Sequence, residues 1–133
     1  EAIGVDAAPG PGRAVIQGNQ VLLRVEPLKF WLTGFTAPQI LPSNGAILDL
    51  SHSRTHVRVA GPQAQDLLNR YLPLDLRNQS FVPGAVASTA FHHVGITLWR
   101  SPSGFELFLP RSFALSLWKL LRQGAAQFGY EVT

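Results

Sequence analysis

Hydrophobic and polar positions divide this chain into short, sharply bounded segments. Thr55, Val57 and Val59 alternate with His56 and Arg58, the period of two that marks a strand with one buried face. Ala14 to Ile16 and Val21 to Val25 flank the turn-forming pair Gly18-Asn19 and read as a hairpin. Ala85 to Phe91, Val94 to Arg100 and Phe105 to Leu109 read as three more strands, the last two joined by Ser101-Pro102-Ser103-Gly104, and Ile47 to Leu50 reads as a strand piece. Elsewhere the period lengthens. After Gly61-Pro62, residues Ala64, Leu67, Leu68, Tyr71 and Leu72 fall on one helical face that Pro73 limits. Ala114, Leu117, Trp118, Leu121, Ala125 and Phe128 form a longer helical stripe, with Ser112 as the expected cap and Gly129 as the stop. Tyr130 to Thr133 are expected to start a closing strand.

From residue 47 onward the order is strand, helix, strands, helix, strand. That order predicts a ferredoxin-like α+β sandwich, a mainly antiparallel sheet with two helices on one face. Residues 1–13, rich in Gly, Pro and Ala, predict a mobile arm. Residues 14–133 predict one domain, made of a hairpin and aromatic extension over 14–42 and a core over 47–132. The extension holds Phe30, Trp31 and Phe35 among Gly34, Pro38 and Pro42, too broken for a long helix and too aromatic for a solvated linker.

Composition narrows the possible functions. Only 14% of the 133 residues are charged, against about a quarter in ordinary soluble domains, which suggests that a partner covers part of the surface. Charged residues or Pro interrupt every apolar run before it reaches membrane-spanning length, and no secretory leader is evident, so a cytoplasmic location is expected. The absent initiator Met leaves processing open. With no cysteine there are no disulfides, thiolate nucleophiles or cysteine-bound metals. The net charge of +3 comes from Lys and Arg scattered singly, without the clustered footprint of a nucleic-acid binder.

Candidate chemistry is sparse. His52 and His56 have a metal-ligand spacing if helical, but on extended chain they stand about 13 Å apart, so only a sharp bend at Ser53-Arg54 would let them share an ion. His92 and His93 point to opposite faces of a regular strand and could act together only at a hairpin tip. Ser51, Ser53 and Ser88 lie near histidines without a nucleophile-elbow motif. Asp49 is expected to bond to backbone or Arg54, and Asp66, Asp75 and Glu106 read as solvated charges or local caps. No glycine-rich nucleotide fingerprint occurs, and Gly10-Pro11-Gly12 lacks the Lys and helix of a phosphate loop.

The run LDLSHSRTHVRVAGPQAQDLLNRYLPLDL, Leu48 to Leu76, resembles the folate-binding aminomethyltransferase superfamily, which carries a DLS segment, a strand ending in GP and an amphipathic helix. FELFLPRSFALSLWKLL, Phe105 to Leu121, with FGYEV, Phe128 to Val132, is similar more narrowly to the gamma subunits of heterotetrameric sarcosine oxidases. That resemblance implies a cytoplasmic complex of alpha, beta, gamma and delta chains that oxidatively demethylates sarcosine to glycine. It reduces oxygen to hydrogen peroxide, and the methyl carbon leaves as formaldehyde or passes to tetrahydrofolate. FAD, FMN, NAD and zinc would lie in the other subunits. This chain would be architectural, with no catalytic, cofactor-binding or metal-binding residue of its own.

The catalytic branch of the superfamily carries an Asp pair just before a strand reading like LIVYR. Aligning that strand on Ile96 to Arg100 puts Val94 and Gly95 where the acids would stand. Two alternatives stay open: a free-standing folate-binding aminomethyltransferase-like protein, and a scaffold subunit of a related N-methyl amino-acid oxidase or dehydrogenase. The substrate of the complex, sarcosine or another secondary amine, is equally open.

For docking, the expected anchors are Phe30, Trp31, Phe35 and Trp99. Val94, Ile96 and Leu98 alternate toward the helices, so Trp99 is expected to face away from the core. The competing expectation is that the N-terminal hairpin folds back and buries these rings in the same chain.

Overall fold

A computed structural model describes residues 9–34, 43, 45–46 and 48–133; Phe35, Ile47 and the first eight residues lie outside the described ones. The alternating runs become strands: β1 (Ala14–Gln17), β2 (Gln20–Glu26), β3 (Lys29–Thr33), β4 (Arg54–Val59), β5 (Val86–Phe91), β6 (Val94–Ser101) and β7 (Gly104–Pro110). The two helical stripes become α1 (Ala64–Leu68) and α2 (Ala114–Ala125). Among the described residues no helix is long and apolar enough to cross a membrane.

β5, β6 and β7 form a meander, and β4 pairs antiparallel with β7, giving the order β4-β7-β6-β5 with β4 on one edge. Alternation along each strand then decides what faces the helices. Val57, Val59, Ile96, Leu98, Phe105, Leu107 and Leu109 pack with Leu67, Leu68, Leu117 and Leu121 into the larger core. The expected α+β layering, two helices on one face of an antiparallel sheet, is the one the chain adopts.

On the opposite face lies a second sheet, ordered β1-β2-β3. The expected hairpin at Gly18-Asn19 makes its first two strands. Its third strand, β3, comes from the aromatic extension, whose sequence predicts neither a long helix nor a solvated linker: KFWLT is a run of good strand formers returned against β2 by the Pro27-Leu28 turn. Leu23 is fully buried against Val86, Trp99 and Phe108, forming a second, smaller core. The hairpin is also sewn to β5 through the backbone: Ala14 N–H donates to Gly84 C=O at 2.9 Å, and Val86 N–H to Gly12 C=O at 2.7 Å.

Four local expectations are corrected. α1 is only five residues long; Tyr71 and Leu72 follow it in turns yet still pack on the core. Ser112 does not cap α2, because the chain leaves Pro110 through a 3-10 turn over Arg111–Phe113 and Phe113 takes the cap position without a side-chain bond. Residues 48–50 are not a strand: the Asp49 carboxylate accepts from the backbone N–H and hydroxyl of Ser51 and bends the chain. Those bonds hold the Asp49 pKa below the usual carboxylate value. Tyr130 to Thr133 are not a strand either, since Gly129 turns with φ +75° and Arg122 Nε donates to the Tyr130 hydroxyl at 2.9 Å, holding the ring by the end of α2.

α2 approaches the α1 turn at Gly124. A Cβ there would lie 2.5 Å from the Tyr71 hydroxyl oxygen and 2.8 Å from Leu67 Cδ1, and that hydroxyl donates to the Leu120 carbonyl at 2.8 Å. On an open helix surface Gly→Ala gains up to about 1 kcal/mol. Here Gly124→Ala is expected to lower stability by about 1–3 kcal/mol through overpacking. A melting temperature equal to or above wild type would show that the contact yields.

Candidate partner interface

The aromatic residues singled out in the sequence separate into different environments. Trp99, expected to face away from the core, is 6% exposed beneath the N-terminal sheet. It does point away from the helices, as alternation requires, but that face of the sheet is covered. Its indole Nε1 has no hydrogen-bond partner among the described residues. Trp31 is half-buried at the seam of the two sheets, edge-on to Phe108 with ring centroids 5.8 Å apart. Its ring lies 5.3 Å from the Arg54 guanidinium carbon. Phe30 is exposed, with the Arg24 guanidinium carbon 5.4 Å from its ring centroid. Phe35 lies outside the described residues.

β4, β7 and β6 also place a polar network on this second face. Register sets Arg58 opposite Glu106, and Glu106 opposite Trp99. Glu106 is fully buried, which corrects its expected place as a solvated charge. β7 is an interior strand covered on both faces, so neither parity leads to water. The carboxylate is saturated: His56 Nε2 lies 2.7 Å from Oε1, Arg58 Nε is 2.9 Å from each oxygen, and the Ser101 hydroxyl donates to Oε2. Burial by itself would raise the Glu106 pKa; the hydrogen bonds from Ser101, Arg58 and His56, with the Arg58 charge, outweigh it and hold the pKa below the ordinary value. A Glu amid FELFLP, opposite a strand carrying His56 and Arg58, was the available signal for this cluster.

The other candidates are dispersed. His56 stacks on Phe108 at 4.7 Å and turns to Glu106, while the His52 carbonyl accepts from Arg111. His92 and His93 do form the β5–β6 hairpin tip, with His92 at φ +56° and its ring 5.5 Å from Tyr71. Among the described residues no three His, Asp or Glu side chains converge to hold a metal. Ser51 donates to Asp49 and Ser53 to the Leu50 carbonyl, and among the described residues neither hydroxyl is bonded to a histidine. Asp75 accepts from Arg77 and Ser80, which hold its pKa far below the usual range. Val94 and Gly95 open β6 opposite Phe91 and Ala90. Gly95 lines a cleft of about 370 Å³ between the sheets, whose polar lining includes Glu26, Lys29, Arg54 and Thr97; Glu26 there is paired with Lys29 at 3.5 Å.

These features define a class: an α+β domain whose four-stranded antiparallel sheet is backed by helices on one side and by its own N-terminal sheet on the other. Within that class, the chain is similar to gamma subunits of sarcosine oxidase, as Phe105 to Leu121 and Phe128 to Val132 led one to expect. It is 27% identical over 114 residues to sarcosine oxidase subunit gamma of Arthrobacter sp, covering 85% of this chain and 56% of the relative. The subunit gamma of Corynebacterium sp. (strain U-96) is 28% identical over 118 residues, covering 83% and 57% respectively. The chain thus spans little more than half the length of the curated relatives it matches. No protein-family model matches it. In three dimensions it shares its fold with a chain of the heterotetrameric sarcosine oxidase from Corynebacterium sp. U-96, solved in complex with pyrrole 2-carboxylate. The TM-score is 0.81 at 24% identity, over 99% of this chain and 73% of that one.

Proposed function

We propose that this chain is a non-catalytic assembly subunit of a cytoplasmic, multi-subunit, flavin-dependent oxidase that demethylates sarcosine to glycine. The similarity to the gamma subunits, over more than four fifths of this chain, carries the reading. The partners are chains of the alpha, beta and delta kinds, and FAD, FMN, NAD and zinc belong to them. The Val94-Gly95 position, which carries no carboxylate, supports a role without the superfamily's folate chemistry. Among the aromatic residues, the ones assigned to partner contact in this reading are exposed Phe30 and half-buried Trp31.

Co-expression with the products of adjoining genes tests this. The expected result is a stoichiometric yellow complex that oxidises sarcosine, and an isolated chain that is colourless and does not bind tetrahydrofolate in calorimetry. A one-to-one tetrahydrofolate complex of the isolated chain, lost on mutating the β5–β6 hairpin, would replace this reading with that of a free-standing folate-binding relative.

A further inference from the structure

β4 is an edge strand, and its register with β7 runs unbroken from Arg54↔Pro110 to Val59↔Phe105. The Arg111 N–H donates to the Ser53 carbonyl at 3.0 Å, which sets the phase of the ladder. Because bonded and outward positions alternate in an antiparallel pair, Thr55, Val57 and Val59 bond toward β7. Arg54, His56 and Arg58 therefore turn their backbone N–H and C=O groups to the free edge, where no strand among the described residues pairs with β4. Neither a proline nor a bulge interrupts this edge, and the charges of Arg54 and Arg58 are what guard it against indiscriminate pairing.

The surroundings specify what could pair there. Beside the edge runs a groove of about 580 Å³, walled by Val57 and Val59, by Trp118 and Phe128, and by the tail at Tyr130 and Val132. On the other face of β4 stand Arg54, His56 and Arg58. Glu106 engages only Nε of Arg58, so its terminal nitrogens have no hydrogen-bond partner among the described residues. Pairing with a second copy of β4 about His56 would set Arg54 against Arg58, and like charges directly opposed are destabilising. From these observations we infer that β4 accepts an extended segment of a partner subunit as a fifth strand, a segment that alternates apolar residues toward the groove with Asp or Glu toward Arg54 and Arg58. Backbone bonds supply affinity in this mode and the alternating side chains supply selectivity.

The inference rests on the subunit reading, and hydrogen exchange on the wild-type chain, free and in the co-expressed complex, separates the two. The amides of Arg54, His56 and Arg58 should exchange rapidly in the free chain and slow by at least ~10-fold on assembly, the signature of new ladder bonds. Those of Thr55, Val57 and Val59 should be slow in both states. A complex that forms without slowing the edge amides overturns the inference alone. Edge amides already slow in the free chain overturn it in favour of pairing by the chain's own tail, and a chain that assembles with nothing overturns both readings. Arg54→Glu, which leaves the Glu106 network untouched, should reduce recovery of the complex about tenfold through charge reversal; undiminished recovery would sink the acidic partner strand.

Discussion

Trp99→Ala is expected to destabilise the isolated chain severely. The ring is 6% exposed between the two sheets, in contact with the core built on Leu23, Val86 and Phe108. Truncating a buried aromatic of this size costs about 3–5 kcal/mol, a large share of the margin of a domain whose total stability is of order 5–15 kcal/mol. Trp99→Phe should cost clearly less. It keeps an aromatic filler and removes an indole N–H that is buried without an acceptor among the described residues, a group whose desolvation costs about 1–3 kcal/mol. Urea unfolding midpoints of the two variants provide the measurement. If the Ala variant matched wild type in stability but failed to co-purify with partner subunits, the ring would be a docking anchor after all.

The second large effect is expected at Glu106. Removing one member of a buried ionic cluster costs about 3–5 kcal/mol, and Glu106→Ala should fall toward the lower end because His56 and Arg58 are about half exposed and can rehydrate. Glu106→Gln should be milder and diagnostic by pH. The folded carboxyl has a pKa below its ordinary 4.5, so the folded state binds this proton more weakly than the unfolded chain does. Its contribution is therefore fully present above the unfolded value and is lost as pH falls through the folded pKa. The gap in melting temperature between wild type and Glu106→Gln should be constant near neutrality and shrink as pH drops below about 4.5, the region where such linkage acts. A gap independent of pH down to acid unfolding would show that the charge of Glu106 contributes nothing.

Both residues mark the boundary between what was legible in the chain and what was not. Alternation at Thr55, Val57 and Val59, and at Val94, Ile96 and Leu98, was enough to place β4 and β6 and to say which side chains meet the helices. The stripe from Ala114 to Phe128 was enough for α2, because a long period of 3.6 has few other solutions. Turn-rich ends were less legible. Ser112 and Tyr130 to Thr133 have suitable chemistry for a cap and a strand, but competing contacts, the 3-10 turn after Pro110 and the Arg122–Tyr130 hydrogen bond, decide otherwise.

Strand and helix periods, the α+β layering and the resemblance to sarcosine oxidase gamma subunits can be read from residue order alone, since each is written locally. What covers the second face of the main sheet emerges from long-range packing. Period two tells which residues share a face but not whether that face meets water, a partner or a distant part of the same chain. Here β1, β2 and β3, from well before β4 in sequence, fold onto it. That long-range packing turns Trp99 from an expected anchor into core, buries Glu106 among His56, Arg58 and Ser101, and leaves the outer edge of β4, beside the α2 groove, without a strand partner among the described residues.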